Sequence, residues 1–184
     1  EARGLLEKEG IVVVGNSLNV DKGVDLPAIS AAVAGSLEAR GSIVIVDLGG
    51  DPVGARVIRR FRNSLPVPEL ETCYVVNIFR PETRTPEAIE ESLRAIEEAS
   101  GLRVTGIVNN SHLLDRSRPE HLLAGNRICL GVSERTGVSV RFVSGRPDLL
   151  QRCEEISPGE LLGEPVAIGM HLRQEWMVSG PTRE

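Results

Sequence analysis

The sequence predicts an α/β fold, a three-layer arrangement in which a mostly parallel sheet is covered by helices on both faces. Short runs of apolar residues alternate along the chain with longer segments whose apolar residues recur at helical spacing. Each helical segment is long enough to cross over between two parallel strands. This alternation is typical of layered α/β domains.

The strands are expected where the apolar runs lie. Five parallel strands are predicted at residues 11–14, 43–47, 73–78, 104–108 and 139–143, and a last edge strand at 166–172. The run from Ile43 to Val46 contains four β-branched residues, which indicates a strand buried on both faces.

The helices are bounded by residues that favour helix ends. Thr85, Pro86 and Glu87 combine a hydroxyl cap, a proline at the first position and an acid in the first turn. Glycines mark helix ends. The predicted helices are 1–9 before Gly10, a segment from Asp25 to Gly41, a helix from Pro52, a helix from Thr85 to Gly101, a helix from Pro119 to Gly137 and a short helix from Leu149.

The chain is predicted to form one main domain with a short extension. Residues 1–158 make up the domain, and residues 159–184 a C-terminal extension with an edge strand and a mobile tail from Ser179. The first residue is Glu rather than Met, and the chain begins in what reads as the middle of a helix. We therefore expect a fragment of a longer protein.

Composition narrows the classes of function. Of the 184 residues, 41% are hydrophobic and 26% charged, as in an ordinary globular domain. An aromatic content of 3% and a net charge of −5 give no clear signal for nucleic-acid binding. The apolar runs are too short to span a membrane, and the chain does not open on a signal peptide. The three cysteines lack metal-site spacing, which indicates reduced thiols in the cytoplasm, two of them buried.

The segment from Ile43 to Arg56 carries the strongest chemical signal. Asp47 follows the apolar run, so it is expected at the carboxyl end of a strand, where ligands of α/β sheets bind. Gly49 and Gly50 let a ligand approach the backbone, and Asp51 and Pro52 favour a helix start. Together they predict a site for Mg²⁺ and phosphate.

Two other interpretations of this segment were weighed. Gly49 to Arg56 partly matches the phosphate loop G-x-x-x-x-G-K-[ST], but Ala55 and Arg56 replace its lysine and hydroxyl residue. A Walker B strand followed by a glycine-containing switch fits better. The alternative without function is a buried strand ending in a tight turn whose aspartate caps the helix.

Three further features bear on binding. Asn109 and Asn110 follow the predicted strand 104–108, where they form either an ordinary polar turn or, since an amide offers a donor and an acceptor together, a base-recognition site. Arg146 and Pro147 follow the next strand. The arginines after Pro52, at positions 56, 59, 60 and 62, predict a solvated helix face.

These segments together resemble the MinD/ParA-type P-loop ATPases of the SIMIBI class, and most of all an uncharacterised bacterial branch. The likeness covers roughly residues 1–153 and is carried by Ile-Val-Ile-Val-Asp-Leu-Gly-Gly-Asp, Asn-x-x-Arg-Pro and Thr-Gly-Ile-Val-Asn-Asn-Ser. The sequence departs from the family in lacking a G-x-x-x-x-G-K-[ST] loop. The resemblance implies a P-loop NTPase-like fold whose first strand and P-loop lie upstream of this chain.

The resemblance also implies roles for individual residues. Asp47 would be catalytic and hold Mg²⁺ through water, and the backbone of Gly49 and Gly50 would sense the γ-phosphate of ATP. Asn109, with Asn110 beside it, would recognise adenine. Arg146 and Pro147 would pack against the base.

The resulting hypothesis is part of an ATP–Mg²⁺-binding ATPase that acts as a nucleotide-dependent switch in a homodimer or with a protein partner. It would be inactive alone, because the phosphate cradle is missing. Two alternatives stay open: a non-catalytic interaction module on the same scaffold, and an ATP-dependent ligase or amidotransferase relative.

Overall fold

The computed structural model describes residues 2–14, 31–39 and 41–169, and the chain divides into two compact units. The first unit contains the described residues up to Val46 together with Phe61–Leu65. The second contains Asp47–Arg60 and Pro66–Gly169. The sheet and the predicted site residues all belong to the second unit.

The described residues of the first unit include two short helices, α1 (Ala2–Lys8) and α2 (Ala31–Glu38), and the end of a 3-10 helix at 61–64. The chain leaves α1 at Gly10, whose φ of +80° is left-handed and therefore suits glycine. The first part of the predicted helix from Asp25 lies outside the described residues, as do the end of the predicted edge strand and the tail from Ser179.

The second unit is built on a four-stranded parallel sheet, which confirms the predicted α/β class. Its strands are β1 (Cys73–Val76), β2 (Gly106–Asn109), β3 (Val140–Gly145) and β4 (Glu164–Ala167), in the spatial order β1-β2-β3-β4. β1 to β3 lie at three of the predicted strands, and β4 overlaps the predicted edge strand. All three pairings are parallel.

Helices precede β1 and connect the four strands. They are α3 (Pro52–Ala55), continued by a 3-10 helix at Arg56–Ser64, then α4 (Pro86–Ser100), α5 (Pro119–Thr136) and α6 (Pro147–Ile156). Shorter 3-10 turns lie at Val67–Glu69, Pro81–Thr83 and Leu114–Arg116. The predicted ends of α4 are confirmed: Thr85 Oγ1 accepts a hydrogen bond from Ala88 N at 3.2 Å, and Gly101 closes the helix with φ +72°.

The core lies between the helices and one face of the sheet. Tyr74, Val76 and Ile107 pack with buried residues of α4 and α5, while Val143 packs against α5 and α6. The helices share one face because right-handed crossovers between consecutive neighbouring strands keep them on the same side. On the other face Val75 is 55% exposed. In the described part of this unit, the long helices therefore cover one face rather than the two that were predicted.

The strands predicted at 11–14 and 43–47 are wrong: neither segment forms a helix or a strand. The side chains of Ile43 and Ile45 are 95% and 89% exposed, and Val44 and Val46 are about 40% exposed. Strand propensity measures how well a side chain packs against neighbouring strands, and no neighbour is present among the described residues. Asp47 consequently does not stand at the end of a sheet strand.

Candidate functional site

The carboxyl ends of β1, β2 and β3 bring polar residues to one edge of the sheet. Val76 lies beside Asn109, and Asn109 lies beside Val143, so β1 and β2 end at the same level and β3 continues for two further residues to Gly145. The residues that follow are Asn77, Asn110 and, after Gly145, Arg146. Ligands of open parallel sheets bind at this edge. We call it the carboxyl edge.

Asn77 joins the first two loops of the carboxyl edge, a role that the sequence analysis missed. Its Nδ2 donates to the carbonyl of His112 at 3.3 Å. Its Oδ1 accepts from the backbone N–H of Phe79 at 3.1 Å and of His112 at 3.4 Å. Thr83 Oγ1 donates to the Asn77 carbonyl at 2.5 Å. The sequence placed Asn77 inside the predicted strand 73–78 and in the Asn-x-x-Arg-Pro segment, and neither feature indicated these contacts.

Asn109 is fully buried, and both ends of its amide bond to the protein itself. Nδ2 donates to the Leu122 carbonyl of α5 at 3.0 Å, and Oδ1 accepts from Ser111 N at 3.2 Å. The backbone of α5 approaches closely here, since a Cβ on Gly125 would lie 2.6 Å from Asn109 Oδ1. In this arrangement Asn109 fixes the end of β2 against α5 and offers a ligand no free amide edge.

Asn110 points away from Asn109, because successive side chains of a strand alternate between faces. Its backbone N–H donates to the Val76 carbonyl at 2.8 Å, which extends the pairing of β1 and β2 by one residue. Its side-chain Oδ1 is buried and has no hydrogen-bond partner in the described part of the chain. A buried acceptor left without a donor costs about 1–3 kcal/mol. Of the two asparagines, Asn110 is therefore the one able to accept a hydrogen bond from a ligand.

Arg146 immediately precedes α6 and Pro147 is its first residue, so the helix begins before the start predicted at Leu149. The guanidinium of Arg146 donates from Nε and Nη2 to the two carboxylate oxygens of Asp148, at 3.0 and 2.7 Å. This hydrogen-bonded pairing lowers the pKa of Asp148 below its ordinary value. The pair holds the arginine side chain beside the first turn of α6.

His112 lies in the loop after β2. Its Nδ1 accepts from Leu114 N at 3.3 Å. Burial, and then the positive charge of Arg80, lower the pKa of this imidazole below 6.5. Arg80 belongs to the loop after β1 and His112 to the loop after β2, so the two loops interact electrostatically.

Asp47, Gly49 and Gly50 form an exposed turn before α3. The carboxylate of Asp47 makes no hydrogen bond or ion pair with any other described residue. Gly49 packs closely on Gly54, because a Cβ on Gly49 would lie 3.0 Å from the Gly54 Cα, whereas a Cβ on Gly50 would meet open space. Gly49 thus has a packing reason to be glycine, and Gly50 does not.

Asp51 occupies the N-terminus of α3, as predicted for a cap. Its Oδ1 accepts from Val53 N at 2.8 Å and from Gly54 N at 2.9 Å. These backbone donors are therefore satisfied by the protein's own carboxylate. In the described conformation Asp51 therefore occupies donors that a phosphate would use, and the phosphate site at this helix N-terminus stays a prediction.

The predicted site residues thus fall into two groups. Asn109 and Asn110 lie at the carboxyl edge with Arg146, and Ser144 Oγ of β3 donates to the Asn109 carbonyl at 3.5 Å. In the described structure no hydrogen bond or ion pair connects this group with Asp47, Gly49 or Gly50. Within the same residues no group of three or more histidine, cysteine or carboxylate side chains could hold a metal ion.

Cys129 and Cys153 are buried and Cys73 is exposed, which confirms two buried thiols. Among the described helices, none combines the length and the apolar character needed to cross a bilayer. The chain was compared with protein-family models, with curated proteins and with solved structures, and none of them matches it.

Proposed function

We propose that this chain is part of a MinD/ParA-like, P-loop NTPase-like protein that binds ATP–Mg²⁺ and uses the nucleotide state to switch a homodimer or a partner contact. The proposal is supported by a parallel sheet whose polar loops gather at one edge. The observation that carries it is the buried, unpartnered Oδ1 of Asn110 at that edge. An acceptor of this kind suits a ligand that donates a hydrogen bond.

The chain's own residues fit the two ends of such a ligand. Asn110 Oδ1 would accept from the exocyclic amino group of adenine, while Asn109 holds the strand end in position. Arg146 and Pro147 would flank the base. The exposed carboxylate of Asp47 is a hard oxygen group of the type that Mg²⁺ prefers, and the open backbone at Gly50 would admit a phosphate.

The phosphate cradle would come from sequence upstream of residue 1. When bound, ATP supplies the phosphoryl group that water attacks. The contribution of this chain would be to orient the base at Asn110 and to hold the hydrated metal ion at Asp47.

Asp47→Asn in the protein extended by its upstream gene sequence tests the proposal. The substitution keeps the shape of the side chain and removes the charge that would face Mg²⁺. We expect ATP hydrolysis to fall by about a hundredfold or more, with a smaller loss of nucleotide affinity. Asp51→Asn is the matched control, because Asp51 caps α3, and it should leave hydrolysis near the wild-type rate. An unchanged rate in Asp47→Asn would reject Asp47 as the metal ligand.

A second candidate is a non-catalytic interaction module on the same scaffold. It is favoured by the exposed turn at Asp47, which is not the end of a sheet strand, and by the backbone donors of α3 that Asp51 already uses. Such a module would bind no ATP even with the upstream sequence present. Nucleotide binding by the extended protein therefore separates the two candidates.

A further inference from the structure

We propose that Arg56, Arg59 and Arg60, together called the arginine ridge, form a docking surface for an acidic segment of a partner protein. The ridge lies just after the turn at Gly49–Asp51, on the 3-10 helix that continues α3. This inference does not depend on nucleotide binding. It concerns a surface that the sequence alone suggested was merely solvated.

The charge of the ridge is not balanced locally. Residues 52–68 contain four arginines and no aspartate or glutamate, in a chain whose net charge is −5. All three ridge arginines are exposed, and none forms an ion pair with another described residue. Six of the arginines elsewhere in the described chain pair with carboxylates. They are Arg94, Arg103, Arg127, Arg135, Arg141 and Arg146.

The backbone conformation concentrates this charge. Runs of 3-10 helix longer than three or four residues are uncommon, yet this one spans nine. Side chains three residues apart eclipse one another in a 3-10 helix, so Arg56 and Arg59 project from the same side of the helix. Like charges at this spacing repel. Ile58 is buried and anchors the segment, so the arginines are held at the surface rather than free to rearrange.

The neighbouring surface suggests what kind of anion fits. Val53 lies one turn before Arg56 and is 78% exposed, so an aliphatic side chain accompanies the guanidinium groups. Guanidinium groups bind carboxylates in bidentate fashion. A peptide that carries both glutamates and aliphatic residues matches this combination.

Two other anionic partners fit less well. A long nucleic acid would extend beyond the ridge onto the rest of a chain with net charge −5, and Phe61, the aromatic residue that follows Arg60, is partly buried. A membrane surface would need several large apolar side chains beside the basic residues, whereas within the described residues 52–60 Val53 is the one large apolar side chain that is exposed.

Fluorescence anisotropy of the 184-residue chain with a labelled peptide that alternates glutamate and leucine tests the proposal. We expect saturable binding that weakens as salt is added, and no binding of the same peptide with glutamine in place of glutamate. Replacing the ridge (Arg56→Gln, Arg59→Gln, Arg60→Gln) should weaken binding about tenfold or more. The matched control removes the same charge from exposed arginines elsewhere (Arg84→Gln, Arg116→Gln, Arg152→Gln) and should weaken it by less than about threefold.

Circular dichroism of both triple variants establishes that they fold. The proposal is overturned if the peptide does not bind, or if the ridge variant and the control variant bind it equally well. It is also overturned if single-stranded DNA or vesicles containing phosphatidylglycerol bind more tightly than the peptide and lose that binding in the ridge variant. Those outcomes would assign the ridge to a nucleic acid or to a membrane.

Discussion

Asn109 and Asn110 are adjacent and chemically identical, yet the structure assigns them opposite contributions to stability. Asn109→Ala removes the donor to the Leu122 carbonyl and the acceptor of Ser111 N. Asn110→Ala removes an oxygen that has no partner in the described structure. The pair therefore forms an internal control, because the atoms deleted are the same in both variants.

The magnitude follows from burial. Asn109 is 0% exposed and Ser111 2%, so water cannot easily replace the lost bonds at Asn109. Each buried group left unpaired costs about 1–3 kcal/mol, and the cavity adds to this cost. We expect Asn109→Ala to lower the free energy of unfolding by about 2–4 kcal/mol. For Asn110→Ala we expect a change between about zero and a gain of 1 kcal/mol, because an unsatisfied acceptor is removed.

Urea unfolding followed by far-UV circular dichroism measures both effects. The midpoint of Asn109→Ala should fall clearly below that of the wild type, while the midpoint of Asn110→Ala stays near it or rises. If the two variants are equally stable, or if Asn110→Ala is the weaker one, the orientation of the two amides is wrong. The proposal that Asn110 accepts a hydrogen bond from the ligand would then also be contradicted.

Three further perturbations test the packing and electrostatics of the second unit, with Gly35 of the first unit as a control. Gly125→Ala should destabilise the protein by about 1–2 kcal/mol despite the helical preference of alanine, because the new Cβ would lie 2.2 Å from Ser111 Oγ. The control is Gly35→Ala, whose Cβ would have no atom within 4 Å; it should be neutral or stabilising in the same urea assay. Asp51→Ala should cost about 1 kcal/mol through loss of its two capping bonds, whereas Asp51→Ser should retain most of that stability. The folded state lowers the pKa of His112, first by burial and then through Arg80, so the unfolded chain binds this proton more tightly. The contribution of His112 to stability is complete above pH 6.5 and is lost as the pH falls below that value. When the pH is lowered from about 7.5 to about 5.5, the urea midpoint of the wild type should therefore drop more than the urea midpoint of His112→Gln. The packing argument would be contradicted if the two glycine variants were equally stable, and the capping argument if the two Asp51 variants were. The argument on His112 would be contradicted if pH changed the urea midpoints of the wild type and of His112→Gln equally.

Local signals in the sequence predicted local structure well. The cap at Asp51, the cap at Thr85 and the left-handed glycine at Gly101 are all found where the sequence indicated them. These features depend on a few neighbouring residues, because a cap satisfies backbone donors within its own first turn. These features could therefore be predicted from the local sequence without knowledge of the tertiary contacts.

Features that depend on distant partners could not be predicted in this way. The run from Ile43 to Val46 has the composition of a buried strand, but burial requires a neighbouring strand, and composition cannot supply one. The helices cover one face because the strand order is β1-β2-β3-β4, which depends on how the strands pair rather than on the residues of any one of them.

The two asparagines illustrate the same limit within the candidate site. The sequence indicated a binding role for both, with Asn109 in the lead. They differ because side chains alternate in direction along β2 and because α5 approaches closely at Gly125. Two adjacent asparagines in the sequence reveal neither of these features. Asn77 was missed for a related reason, since its bonds reach a loop that lies 35 residues further along the chain.

Titration of ATP–Mg²⁺ by calorimetry tests the central claim most directly. The titrant is added to the 184-residue chain and, in parallel, to the same chain extended by its upstream gene sequence. The proposal predicts negligible heat for the chain alone, because the β- and γ-phosphates lack their donors, and saturable binding by the extended protein that Asn110→Ala weakens. Micromolar binding by the chain alone would show that the phosphate site has been wrongly assigned. No binding by the extended protein would contradict the claim of a nucleotide-dependent switch and favour the interaction module.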